Sequence, residues 1–433
     1  MKTSPPALPP SPNRPPRTPG RIAAAVAIAL AVTAGSAACS SSSASKSASS
    51  AASGTYTIWD PYPQFTAGSA WVNLLTACGT RAGVTVKRTS YDTTDLTSKE
   101  LLAAQQGVSP DVLIVDNPVV STLAEAGVLT DTGQNKIDTS AVETNLLGAG
   151  TYQGKTYGVP IGANTLALYY NKSILQAAGV DPSTITDWVS LTAALAKVKA
   201  VGKTGITFSA IGTEEGSFQF EPWLWGAGAG LTDLSSSGAI AALSLWTGWL
   251  KDGYAPNSVI DDTQTTSWQE FAAGSTAFSE NGTWQLANAE KAGFPYGIIP
   301  IPGRTSGAAP VPTGGEFVTV PIQADTARYT TSEKLVSCLT DAANAYTTDN
   351  TLSYVGASSA VQAKQVAATP SLQVWVQAVQ AGKARTGDNL GTNYPKISQQ
   401  LWTAVQAALS GSQSPQAALS AAQSAASTAT SGK

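Results

Sequence analysis

Histidine is absent from the 433 residues, and the chain holds only three cysteines and one methionine. Without an imidazole, Ser-His-Asp and Cys-His catalysis are excluded, together with the usual histidine-containing zinc ligand sets. Charge is also scarce: Asp, Glu, Lys and Arg make up 12% of the chain, against roughly 25% in an average soluble protein. With a formal net charge of −3, the chain lacks the basic face that a nucleic-acid partner requires. The apolar run at residues 22–34 has 13 residues, too few to span a bilayer, which takes about 20.

Phosphate-binding motifs are missing as well. Two Gly-Lys-Thr triplets begin at Gly154 and Gly202, but Ala149 and Lys197 stand where a phosphate loop needs glycine. The glycine-rich stretch from Gly226 to Gly230 has Leu231 at the third position required by the dinucleotide fingerprint. The sequons at Asn171 and Asn281 are read as coincidences of spelling.

What is present begins with an export signal. Lys2, Arg14, Arg17 and Arg21 precede the apolar run, and small residues then lead into Cys39. Residues 1–38 read as a leader, and 39–54 as a Ser/Ala-rich linker. Lipidation of Cys39 is the favoured expectation, although Ser36 stands where a lipobox usually has leucine; ordinary cleavage after Ala38 is the alternative. Removing the leader's four basic residues leaves 21 basic and 28 acidic groups, a net charge of −7.

The remaining length is too great for one ordinary core and predicts two lobes. Strands are expected at 55–59, 84–89 and 111–115. Helices are expected through Trp71 to about Gly83, at 101–106 behind a capping box from Thr97 to Glu100, and from Pro118 to Gly127. This alternation predicts a parallel sheet with covered faces. Ligands of such sheets lie beyond the carboxyl ends of the strands, where Trp59, Asp60, Tyr91, Asp116 and Asn117 fall. Each Asp taken singly also suits an Asx turn.

Large aromatics concentrate further along. Trp188 is expected to begin a helix, and Trp246 and Trp249 share a helical face with leucines and read as core. Trp223 and Trp225, with Glu215 and Phe218, lie in a segment read as an irregular loop, with ligand binding slightly favoured over packing. From Leu335 the pattern is helical, ending in a Ser/Ala tail after Gln413.

An ordered series of segments resembles the bacterial extracellular solute-binding proteins of ABC importers, maltose type. Residues 101–107 with Pro110 and Asp111 resemble the helix and strand start of the first lobe. Residues 152–160 and 166–172 resemble the first hinge, with Asn164 at the crossing. Residues 271–274 and 281–284 resemble the segment that sets a tryptophan in the cleft. Residues 296–302 resemble the second crossing, Gly314-Gly315-Glu316 the glycine-rich return, and 394–398 the start of a late helix beside the cleft.

The resemblance implies an α/β, two-lobed fold of the periplasmic-binding-protein type, each lobe a mostly parallel sheet covered by helices and joined by hinge crossings. The first lobe is expected at 55–163 and 299–326, and the second at 164–298 and 327–433. It implies Trp284 as a stacking platform and Glu316 as a hydroxyl acceptor beside Gly315. Asp60, Asp116 and Asn117 would contribute from the first lobe, with Asn281, Arg385 and Tyr394 as further contacts. Arg385 is alternatively an ion-pair partner of Asp388. Cys78 and Cys338 would lie on a first-lobe helix and a helix near a hinge, and whether they pair stays open.

The implied function is carbohydrate binding between the lobes of a monomer held at the outer membrane face by lipid on Cys39. Its partners would be a small sugar and the permease subunits, with no cofactor, metal or reaction. Two rivals share the same residues. Asp60, Asp116, Glu214, Glu280 and Glu316 would suit a polyamine or other cation, with aromatic faces adding attraction. Paired carboxylates among Glu214, Glu215, Glu221, Glu280 and Glu316 would suit a glycosidase.

Overall fold

The computed structural model describes residues Gly54–Ser431; the expected leader, most of the linker and Cys39 lie outside the described residues. Two sheets organise the chain. The first has five strands in the order Thr85–Ser90, Thr55–Asp60, Val112–Asp116, Glu316–Thr319 and Val159–Pro160. The second has four, in the order Tyr296–Ile299, Leu166–Asn171, Thr276–Gly282 and Thr204–Thr207.

The opening of the chain follows its local chemistry. Ser69 caps helix Ala70–Ala82 by accepting from the Val72 amide, and Gly83 ends it at φ 77°, a left-handed conformation in which a side chain would be strained. The next helix differs from expectation: it runs Thr93–Gln105 and begins at Asp92, one turn before the supposed capping box. Glu100, cast as the box's reciprocal partner, is instead buried, and burial raises its carboxyl pKa to about 7.

The two-lobed α/β plan is as expected, but less of each sheet is parallel. The three strands opening the first sheet pair in parallel, whereas Glu316–Thr319 runs antiparallel to Val112–Asp116. In the second sheet Thr276–Gly282 pairs in parallel with Thr204–Thr207, and the other two pairings are antiparallel. The physical reason is connectivity. Leu166–Asn171 and Glu316–Thr319 each enter a sheet by crossing from the other, and so arrive without the helical crossover that makes neighbours parallel.

The first crossing lies between Pro160, in the first sheet, and Leu166, in the second. The second lies later than expected. Residues 296–299 belong to the second sheet, and Ile301, Ala309 and Val311 pack into the second lobe's core, so the chain returns only between Val311 and Glu316. The assignment of everything after residue 326 to the second lobe also needs correction. Helix Tyr329–Thr340 buries Leu335, Val336, Cys338 and Leu339 in one cluster with Tyr56, Trp71 and Leu75. Its spacing of apolar residues at i, i+1 and i+4 presents a face that fits against helix Ala70–Ala82.

That contact carries a disulfide between Cys78 and Cys338. Both half-cystines sit in the first lobe's cluster, so the bond spans no moving boundary. The supposed Ser/Ala tail is a sixteen-residue helix, Pro415–Thr430, capped by Ser414, with Ala418, Leu419, Ala422 and Ala426 buried against the second lobe. Small residues at helical spacing permit this close approach.

We expect Cys78→Ala/Cys338→Ala to lose roughly 2–5 kcal/mol of stability, read as a lower denaturation midpoint. Ligand affinity should be unchanged in the folded variant, because the bond stays within one lobe.

Candidate functional site

The return strand sets the geometry. Its first residue, Glu316, lies in register opposite Asp116, the last residue of Val112–Asp116. Just before it, Gly314 forms a two-way backbone bridge with Asn164 on the first crossing, N···O 3.2 and 2.9 Å. A methyl on Gly314 would overlap Asn164 Oδ1 and approach the Phe218 ring to 3.2 Å. Gly315 has φ 104° and its amide-plane neighbours leave no room for a side chain against Gly162. Two glycines are therefore needed where both crossings touch.

Asp116 accepts from the Asn117 amide at 2.9 Å and starts helix Asn117–Glu125. The Asn117 side chain is buried; its Nδ2 donates to the Thr313 carbonyl at 2.8 Å, and its backbone amide donates to Gly315. Arg385 reaches both: Nη2 donates to Asp116 Oδ1 at 2.8 Å and to Asn117 Oδ1 at 3.1 Å, while Nη1 donates to Glu214 Oε1 at 2.8 Å. The alternative pairing with Asp388 is thereby excluded. The guanidinium also lies 4.9 Å from the Phe218 ring centre, a cation–π distance.

Tyr394 is buried, and its hydroxyl lies within hydrogen-bond distance of Glu214 Oε1 and, at 2.9 Å, of Glu221 Oε1. Ser398 donates to Glu214 Oε2 at 2.6 Å. Burial opposes the charge on Arg385, but Asp116, Tyr394, Glu214 and Glu221 outweigh it and hold its pKa above the usual arginine value. Glu221 is pushed the other way, chiefly by burial and then by Glu214, so its carboxyl pKa lies well above the ordinary range.

Glu316 Oε2 accepts from Tyr62 at 2.9 Å and from Tyr354. Loss of solvent, then the nearby Asp116 charge, raises its pKa to about 7 despite these donors. Trp284 completes the set. It sits on the short turn Thr283–Gln285, half-buried, with its ring over Gly282 and 6.3 Å from the Phe218 ring centre. Any side chain at Gly282 would collide with that ring.

Thus Asp116, Asn117, Asn164, Phe218, Trp284, Gly315, Glu316, Arg385 and Tyr394 are connected through direct contacts. The other expected contacts are elsewhere. Asp60 is fully buried and held by Arg88 at 2.5 and 2.7 Å and by Trp71 Nε1 at 3.0 Å, so it braces the first lobe. Trp59 and Tyr91 pack edge to face at 5.1 Å, with no hydrogen bond or ring contact to the group around Arg385.

Trp223 and Trp225 lie on a regular helix, Glu214–Gly226, that continues through Pro222. Both are buried in the second lobe's core; Trp223 donates to Glu280 Oε2 at 2.8 Å and packs against Trp249. Asn281 is buried and donates to the Gln264 carbonyl at 2.9 Å, while Glu215 accepts from the Gln264 amide at 2.8 Å. Those two residues fix the start of helix Gln264–Ala272. Glu214, one position earlier and some 100° around the helix, is the carboxylate that meets Arg385. Tyr62, Tyr354 and Ser398 were missed; no periodicity marks them, and only the folded chain brings them to Glu316 and Glu214.

The fold and this group define a two-lobed α/β protein with a polar and aromatic cluster where its crossings meet. Residues 73–374 match the bacterial extracellular solute-binding protein family, and the chain belongs to it. A maltodextrin-binding protein of Bacillus subtilis is 29% identical over 220 residues, covering 48% of this chain and 51% of that protein. A putative binding protein of Brucella abortus is 30% identical over 177 residues, covering 39% and 42%. The chain spans about half the length of these relatives.

Among solved structures, the GacH receptor of Streptomyces glaucescens is 25% identical with a TM-score of 0.72, covering 87% of this chain and 98% of that one. UgpB from Mycobacterium tuberculosis shares the fold at 22% identity and a TM-score of 0.76, with the same two coverages.

A pH signature should follow from Glu316. The unfolded carboxyl ionises near its ordinary 4.5, whereas the folded one keeps its proton to about 7, so wild type should lose stability as pH rises through that window. Glu316→Gln cannot ionise. Its melting temperature relative to wild type should therefore climb between pH 4.5 and 7; a constant difference would contradict the assigned environment.

Proposed function

We propose that this chain is the extracytoplasmic binding subunit of an ABC importer, holding a mono- or oligosaccharide between its lobes and presenting it to a membrane permease. The observation that carries the reading is the pairing of an aromatic wall, Trp284 with Phe218, with directed polar groups at Asp116, Asn164 and Glu316. Sugar rings offer apolar faces to stack and hydroxyls that need individual partners. Among the described residues, no helix is long and apolar enough to cross a membrane, and a lipid on Cys39 would supply the anchor for a monomeric protein.

The relatives support this ligand class. The Bacillus subtilis protein is named for maltodextrin, and the GacH receptor was solved in complex with acarbose. A cationic ligand fits the contacts less well, because four of the acidic candidates are already engaged, Asp116 among them through Arg385. Asp60 pairs with Arg88, Glu214 with Arg385, and Glu280 is buried beneath Trp223. The same burial takes Glu221 and Glu280 out of reach of a glycosidic bond.

Thermal shift and calorimetry against a panel of maltodextrins, acarbose, galacto-oligosaccharides and polyamines test the proposal. One saccharide should raise the melting temperature, and Trp284→Ala should weaken it about 30-fold, the equivalent of about 2 kcal/mol of lost ring burial. Stabilisation by polyamines alone would overturn it.

A further inference from the structure

Both walls of the cleft are acidic at their closest approach. From the first lobe come Asp116 and, in register opposite it, Glu316; from the second come Glu214 and, behind it, Glu221, which shares the Tyr394 hydroxyl. The phenols of Tyr62, Tyr354 and Tyr394 are the other titratable groups facing these carboxyls. Arg385 is the one basic side chain hydrogen-bonded to this set among the described residues. The nearby Lys383 lies over the Trp225 ring instead, at 5.5 Å.

Arg385 is also placed for a mechanical role. It directly follows strand Lys383–Ala384, which pairs with Pro312–Thr313 on the second crossing. Its side chain is 3% exposed, and its two terminal nitrogens point to different lobes, Nη2 to Asp116 and Nη1 to Glu214, each at 2.8 Å. Phe218 lies under the guanidinium, 4.9 Å from ring centre, and fixes its plane. Both terminal nitrogens are thus engaged within the protein, and the buried Nε is left without a partner among the described residues.

We propose that Arg385 is a positioning residue for lobe closure: its guanidinium, bridging Asp116 and Glu214, supplies the positive charge that lets two acidic cleft walls meet. The proposal rests on the two-lobe closure reading but not on the identity of the ligand. Removing the bridge leaves like charges face to face across the cleft, and separation of the lobes relieves them. Substitutions that neutralise both carboxylates relieve them as well. A residue that merely filled space would show no such rescue.

Small-angle scattering of the purified protein without ligand tests this directly. Arg385→Gln at pH 7.5 should shift the open–closed balance toward open by roughly 10-fold, the cost of breaking ion pairs whose carboxylates are partly exposed, and so enlarge the radius of gyration. Asp116→Asn/Glu214→Gln/Arg385→Gln, with the charges removed together, should return to the wild-type value.

A compact Arg385→Gln at pH 7.5, or an expansion that the triple variant does not reverse, overturns the proposal. Should Arg385→Gln fail to fold, Asp116→Asn/Glu214→Gln serves as its mirror. That variant leaves one buried unpaired cation and should be expanded at pH 7.5; a wild-type radius would overturn the proposal equally. Sugar binding is read separately by calorimetry, so an expanded Arg385→Gln with no saccharide affinity even in wild type would sink the ligand assignment and leave this one standing.

Discussion

The antiparallel pairing of Glu316–Thr319 with Val112–Asp116 is the contact from which the cleft is built. Its four register pairs insert a strand arriving from the second lobe into the middle of the first sheet, between Val112–Asp116 and Val159–Pro160. Three results follow from that insertion. It completes the first core through Val318 and Val320, it draws Gly314 and Gly315 against the other crossing, and it sets Glu316 beside Asp116. A one-residue slip would turn Glu316 to the other face and replace it with Phe317. Structural and recognition roles therefore share one register.

Charge is used sparingly in this chain, and its buried carboxylates are distributed with purpose. Asp60 with Arg88 ties the first strand to its neighbour and to the loop carrying Tyr62. Asp111 receives both Arg328 Nε and Nη2, at 2.5 and 2.8 Å, and so fastens the approach to helix Tyr329–Thr340 to the same sheet. Both are two-point contacts, whose planar fork resists rotation as well as separation. Such pairs contribute more to a unique arrangement than to net stability, since desolvation consumes much of the Coulomb gain. Arg385 uses the same fork differently, one prong per lobe.

Much of the cleft was legible where local chemistry marks it. Strand ends single out Asp116 and Asn117, whereas Glu316 and Trp284 stand out through the resemblance of their segments to the family. The errors share a physical origin. Glu215 was preferred to its neighbour because adjacent helical positions look alike until the helix's orientation is known. Trp223 and Trp225 were read as loop because Pro222 and nearby glycines mimic punctuation, while burial in an apolar lobe overrode that propensity. Asp60 looked like a ligand contact because its partner, Arg88, is 28 residues away on the next strand. Tyr62 meets Glu316 across 254 residues, a distance over which local pattern carries no information.

The disulfide closes a span of 260 residues that contains the entire second sheet. The ring closes only where the helix bearing Cys338 packs against the helix bearing Cys78. The second sheet is an excursion anchored at both ends to the first lobe, whereas helix Pro415–Thr430 reaches the second lobe from outside the ring. Oxidation thus acts as a timestamp on assembly: it records that the helix bearing Cys338 has come home.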